Sequence, residues 1–208
     1  RDTETGAHNA QMTNVKAAFK AEGLTVQYND TLMPVTDVSA SATYEEDVLT
    51  ILGDSGKIGD MTGRNINLKL TDLSKASGGM AYLTLEASGA LKTALQYISD
   101  EPIAMGDDLG FDVKTAKGNV AFNLDLEFPT IKDLPKEEVI VEIKGKLSDV
   151  TIPNIVRELP LTGGPYDLSF AEGTIGLKGT GQLAGRNITL DYKEYISPEG
   201  HDFQSKIS

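Results

Sequence analysis

The chain has 208 residues, 39% of them hydrophobic, which is enough for a core of its own and excludes disorder as a global description. Its formal net charge of −12 argues against nucleic acid or an anionic bilayer surface as partners, because both need a basic footprint. The absence of cysteine removes disulfides, thiolate catalysis and zinc–sulfur sites together.

No run of eighteen apolar residues is present, and Arg1-Asp2-Thr3-Glu4-Thr5 is not a signal peptide. The chain lacks an initiator methionine and ends in an alternating segment, Phe203-Gln204-Ser205-Lys206-Ile207-Ser208, so it reads as an excised piece whose targeting or anchoring elements lie elsewhere. Residues 1–12 form a polar leader, and residues 13–208 read as one elongated β domain.

Alternation at 15–19 and at Leu24, Val26 and Tyr28, about Glu22-Gly23, predicts an opening hairpin. Residues 38–44 alternate more weakly and are rich in Ala and Ser, as expected of a strand packed close to a neighbour or lying at an edge. Gly53-Asp54-Ser55-Gly56 has the composition of a hairpin turn between residues 47–51 and 58–61. The next strand carries Ile66, Leu68 and Leu70 on one face. After Ser77-Gly78-Gly79, residues 80–87 alternate again, with Leu83 and Leu85 on the apolar side.

One amphipathic helix is predicted at about 89–99. Leu91, Ala94, Leu95 and Ile98 fall at i, i+3, i+4 and i+7, Ser88 is the candidate N-cap, and Pro102 stops the segment. Flanked by strands, it should pack across the sheet or close one end of it.

Residues 118–128 give the clearest strand. Val120, Phe122, Leu124, Leu126 and Phe128 share one face, over a length of roughly 36 Å. Val139, Val141 and Ile143 answer it in the next strand, across a loop at 129–135. Residues 150–160 read as a short apolar crossing segment, and Leu168-Ser169-Phe170 and residues 174–178 as further strands. The last strand with a clear face carries Ile188, Leu190 and Tyr192.

Gly63-Arg64-Asn65-Ile66 recurs as Gly185-Arg186-Asn187-Ile188. Each copy reads as a turn feeding an alternating strand, which suggests two related sheet units, about 24–100 and 101–208. On that reading Ile66, Leu68 and Leu70 correspond to Ile188, Leu190 and Tyr192, and both triplets share a side with Phe122 and Leu124.

Residue types that carry chemistry are sparse. His8 lies in the leader and His201 near the end, neither among carboxylates spaced as metal ligands. Glu45-Glu46-Asp47, Asp107-Asp108 and Glu137-Glu138 lack the ordered oxygen spacing of a calcium loop. The glycines between 173 and 181 lack a phosphate-loop ending, and no Gly-x-Ser-x-Gly elbow occurs. The expectation is a non-enzymatic chain with no metal and no cofactor.

Five apolar side chains on one strand face represent on the order of 8–15 kcal/mol of transfer free energy. One helix cannot cover a sheet of many such strands. Either the sheet curls on itself, or a second sheet packs on it, or the face takes an apolar ligand.

The run Ala87-Ser88-Gly89-Ala90-Leu91-Lys92, then Pro102-Ile103, Leu109-Gly110 and the strand at 118–128, resembles the AsmA-like proteins with the domain of unknown function 3971, relatives of TamB and YhdP. Gly145-Lys146-Leu147-Ser148-Asp149-Val150-Thr151-Ile152-Pro153, Leu168-Ser169-Phe170-Ala171-Glu172-Gly173 and Leu183-Ala184-Gly185-Arg186-Asn187-Ile188 extend the resemblance, which covers about residues 35–196. It implies a long, curved antiparallel sheet, an open β-groove or half-barrel, in a periplasmic segment of an inner-membrane-anchored protein whose anchor is absent here. It further implies phospholipid as ligand, envelope proteins and the rest of its own chain as partners, and a role in outer-membrane lipid homeostasis. The groove candidates are then Ile66, Leu68, Leu70, Leu83, Leu85, Val120, Phe122, Leu124, Leu126, Phe128, Val139, Val141, Ile143, Ile188, Leu190 and Tyr192. The alternative is a β-sandwich interaction or adhesion module with a closed core.

Overall fold

Alternation becomes strand over nearly the whole length of the chain in a computed structural model describing residues 16–100, 103, 109, 111–156, 159–197 and 200–207. The polar leader, His8, Pro102 and the Asp107-Asp108 pair lie outside these residues. The elements are β1 (Lys16–Val26), β2 (Val35–Glu45), β3 (Val48–Ile58), β4 (Met61–Thr71), β5 (Met80–Ala90), α1 (Leu91–Ser99), β6 (Lys117–Pro129), β7 (Ile140–Val156), β8 (Leu159–Ala171), β9 (Thr174–Leu183), β10 (Arg186–Ser197) and β11 (Gly200–Ile207). All eleven strands lie in one antiparallel sheet in chain order, and the sheet is not closed. A sandwich with a closed core requires two sheets, and the described residues form one.

Each strand pairs only with its chain neighbours, so the connections alternate between two rims. The first rim carries the connections after odd-numbered strands, including α1, and the second rim those after even-numbered strands.

Four local expectations are corrected by the backbone. Glu22-Gly23 does not reverse the chain. Both sides of it pair with β2, and Gly23, at φ +67°, marks a bulge between Ala21 and Leu24 in one continuous strand. Gly53-Asp54-Ser55-Gly56 is likewise internal to β3, and the turn is Gly59-Asp60. Glycine is required there by packing: a Cβ on Gly53 would lie 3.0 Å from the Ile66 Cβ, and one on Gly56 2.9 Å from the Val35 Cγ1. Residues 150–156 do not cross between layers but extend β7 to seventeen residues. The helix begins at Leu91 rather than Gly89. Ser88 sits in β5, Ala90 holds the N-cap position without a side-chain bond, and a Cβ on Gly89 would lie 2.7 Å from the Met61 Cα.

The two Gly-Arg-Asn-Ile copies have different backbone roles. In the second, Ala184-Gly185 is the β9–β10 turn. In the first, Gly63, Arg64 and Asn65 lie inside β4, where Asn65 at φ +50° produces a bulge against β5. β2 is an interior strand, and its alanines Ala40 and Ala42 are buried, which accounts for its small residues.

A valine at Gly53 would crowd Ile66, whose Cβ would lie 3.0 Å from the new Cβ and shifts only with its backbone. Gly53→Val is expected to cost about 1–3 kcal/mol, read as a lower urea midpoint at unchanged slope.

Candidate functional site: the apolar face of the sheet

Side chains opposite each other in an antiparallel ladder point to the same side, so the register assigns every inner-facing residue. Leu70 pairs with Ala81, and Leu68 with Leu83. Leu83, Leu85 and Ala87 pair with Leu126, Leu124 and Phe122, and Ala81 with Phe128. Val120, Leu124 and Leu126 then meet Leu147, Ile143 and Val141. Further on, Ile143, Leu147 and Ile152 pair with Phe170, Tyr166 and Leu161. Leu168 and Phe170 pair with Leu177 and Ile175, and Leu177 with Tyr192. Ile188 and Leu190 lie opposite Gly181 and Gly179, and Ile66 lies opposite Gly53.

All sixteen residues expected on the apolar face therefore lie on one side of the sheet or at its margin. Both triplets, Ile66/Leu68/Leu70 and Ile188/Leu190/Tyr192, share that side with Phe122 and Leu124. Val139 is the marginal one: it ends the short 3-10 turn at residues 136–138, just before β7 begins at Ile140.

The register adds residues that periodicity did not single out. Leu49 and Ile51 join the face opposite Leu70 and Leu68, and Leu168, Phe170 and Ile175 fill it on β8 and β9. Leu168-Ser169-Phe170 carried an alternation signal. Leu49 and Ile51 were obscured by the glycines after them. Phe19, 60% exposed, carries the face out to the edge strand β1.

The face has two parts. Toward the first rim it is packed: Met61, Val120, Leu147, Val150, Ile152, Leu161, Tyr166, Leu177 and Leu190 are buried in one cluster with Leu91 and Ala116. Ala94 and Leu95 of α1 and Phe111 press onto that cluster. Toward the second rim Leu68, Leu70, Leu83, Leu85, Leu124, Leu126, Phe128, Val141, Ile143 and Phe170 are only half-buried and lie outside the cluster. Among the described residues these half-buried side chains form a continuous apolar lane along the sheet.

Tyr166 sets the floor of the packed part. Its ring lies over Gly179 and Gly181, where a Cβ would fall 3.0 Å from its Cδ1 and 1.7 Å from its Oη respectively. Its hydroxyl donates to the Thr162 carbonyl at 3.0 Å. At the mouth, the Tyr97 hydroxyl on α1 lies 2.6 Å from that of Tyr28 in the β1–β2 connection. On β10 the Tyr192 hydroxyl donates to Glu194, a carboxylate placed on the inner side opposite Ile175.

The outer face is wet. Lys16–Glu45, Lys146–Asp167 and Lys178–Asp191 are cross-strand ion pairs there, all with exposed side chains, and such pairs contribute little stability. Among the described residues no group of three or more His, Cys, Asp or Glu could hold a metal ion, and no helix is long and apolar enough to cross a membrane.

Burial raises the pKa of Tyr28, Tyr97, Tyr166 and Tyr192 above the free phenol value. The Tyr97 hydroxyl adds to the shift at Tyr28, and the Glu194 carboxylate to that at Tyr192. Unfolded tyrosines ionise near pH 10 while these stay neutral in the fold. Their contribution is thus complete below about pH 10 and is lost as the pH climbs from there toward the raised folded values. Urea unfolding measured between about pH 9 and 11 should show stability falling with pH, with a shallower fall in Tyr166→Phe.

The sequence model of a family described as "YhdP protein" matches residues 7–208. No curated protein and no solved structure matches the chain.

Proposed function

Because the chain belongs to the YhdP family, we propose that its open apolar lane holds phospholipid acyl chains and lets them move along the sheet between the membranes of the cell envelope. The observation that supports this reading is the continuous row of half-buried Leu, Ile, Val and Phe side chains from β3 to β9, with no second sheet among the described residues to cover it. Each methylene placed on such a surface gains about 0.8 kcal/mol. An acyl chain therefore needs no polar anchor to stay there. A lane lined by apolar side chains offers an acyl chain comparable contacts along its length, as sliding requires. The role is a physical one, holding and guiding lipid without covalent chemistry, in a periplasmic part of the parent protein.

The test is native mass spectrometry and lipid extraction on the chain purified from cells. Bound phospholipid is expected. A chain that emerges lipid-free and takes up none from vesicles would overturn the reading.

A further inference from the structure

A single row of paired residues crosses the apolar side from β5 to β10. Leu85 pairs with Leu124, Leu124 with Ile143, Ile143 with Phe170, and Phe170 with Ile175. Each of these is half-buried and lies outside the packed cluster. The next member of the row, opposite Ile175 on β10, is a carboxylate, Glu194. On its own strand Glu194 continues the inner-facing run Ile188, Leu190, Tyr192, which is otherwise apolar or aromatic.

The row has the length of a lipid tail. Neighbouring strands are about 4.8 Å apart, so Leu85 to Ile175 spans roughly 19 Å. The hydrocarbon of one bilayer leaflet is about 15 Å deep. An acyl chain laid across the strands therefore covers the apolar part of the row, and its headgroup falls at Glu194.

The carboxylate is held in place by the core. Glu194 is half-buried and accepts a hydrogen bond from the hydroxyl of Tyr192, two residues earlier on the same side of β10. Tyr192 in turn pairs with Leu177 and packs against the buried cluster, so the donor is fixed from below. A carboxylate has about four acceptor sites, and the bond from Tyr192 positions the group without exhausting it. Charge then decides which headgroup suits this end of the row. An ammonium gains a charge-assisted hydrogen bond beside a carboxylate. An anionic headgroup meets like charge there, on a chain whose formal net charge is already −12.

We propose that Glu194, positioned by Tyr192, binds the ammonium of a zwitterionic phospholipid headgroup whose acyl chain lies along the Leu85–Ile175 row, and so selects zwitterionic over anionic phospholipid at the β10 end of the lane. The site rests on the lipid-lane reading for its acyl chain, and its selectivity is measured separately from lipid binding as such.

The test is to incubate the full chain with vesicles of equal phosphatidylethanolamine and phosphatidylglycerol, and to read the ratio and the total of bound lipid by native mass spectrometry. Bound lipid should be enriched about fivefold in phosphatidylethanolamine. Glu194→Gln keeps an acceptor for Tyr192 and removes the charge. It should bring the ratio down to that of the vesicles while total lipid stays within about twofold. Glu86→Gln, on the outer face of β5 opposite Asn123, removes the same charge and should keep the enrichment. Bound lipid at the vesicle ratio in the unaltered chain overturns the headgroup site and leaves the lane standing, as does enrichment that survives in Glu194→Gln. A chain that binds neither phospholipid overturns the lane and the headgroup site together.

Discussion

Tyr166→Ala is expected to lower the unfolding free energy by about 3–5 kcal/mol, the largest effect of any single truncation in the sheet. Tyr166 is fully buried on the inner side of β8, where its ring covers two backbone positions of β9 that carry no side chain. Its removal leaves a cavity that Gly179 and Gly181 cannot fill, and deletes the phenol's hydrogen bond to the Thr162 carbonyl. The reciprocal change is also informative. An alanine at Gly181 would place its Cβ 1.7 Å from the Tyr166 Oη and 2.6 Å from the Thr162 carbonyl oxygen, and the second of these is backbone. Gly181→Ala should cost about 2–3 kcal/mol. In the double variant the phenol clash vanishes while the backbone clash stays, so the combined loss should fall short of the sum. Urea unfolding of the four proteins measures the cycle. Strict additivity would mean that the ring and the glycine do not form one packing unit.

The second large effect is on ligand rather than fold. Leu124→Asp with Leu126→Asp places two carboxylates in the middle of the open lane, opposite Leu85 and Leu83 on one side and Ile143 and Val141 on the other. Both leucines are half-buried and outside the packed cluster, so the folding cost should stay near 1–2 kcal/mol per site. An acyl chain laid over an unpaired carboxylate desolvates it, at a cost of several kcal/mol. Phospholipid recovered with the purified chain should therefore fall by about a hundredfold or more. Asn119→Asp with Asn123→Asp, on the outer face of the same strand, adds the same two charges away from the lane and should leave lipid recovery unchanged. Retention of lipid by the double aspartate variant would show that the acyl chains lie elsewhere.

Much of the inner face was legible before any fold was known, because the pleat has a period of two and the sequence follows it. Val120 to Phe128 names one side of β6 without ambiguity, and its neighbours fall into line once strands pair in chain order. Glycine was the main source of error. At Gly23, Gly53 and Gly56 a residue commonly read as a turn sits inside a strand, either for a bulge or because a neighbour's side chain occupies the space a Cβ would need. Local composition cannot separate these cases, since the deciding atoms, those of Ile66 or Val35, are distant in sequence and close only across the sheet. The same limit applies to the echoed Gly-Arg-Asn-Ile: identical residues make a turn after β9 and a bulge inside β4, because only one copy coincides with a chain reversal.

The sequence by itself determined that this is a β protein with one amphipathic helix, an apolar and a wet side to each strand, and few residues suited to catalysis. Side-chain type and spacing act locally, through pleat and helix periods, and are sufficient for that much. What only the tertiary structure decided is which part of the apolar side is used up by the protein itself. Val120 and Phe128 belong to one strand and one face, and nothing in their immediate sequence separates them. Yet Val120 is sealed beside Leu147 and Leu91 while Phe128 stays half-open toward the second rim. That difference is set by where α1 crosses and by how Tyr166 fills the floor, both of them contacts between segments far apart in the chain. Coverage of a surface is a non-local property, and in this protein the uncovered remainder is the lane proposed to carry lipid.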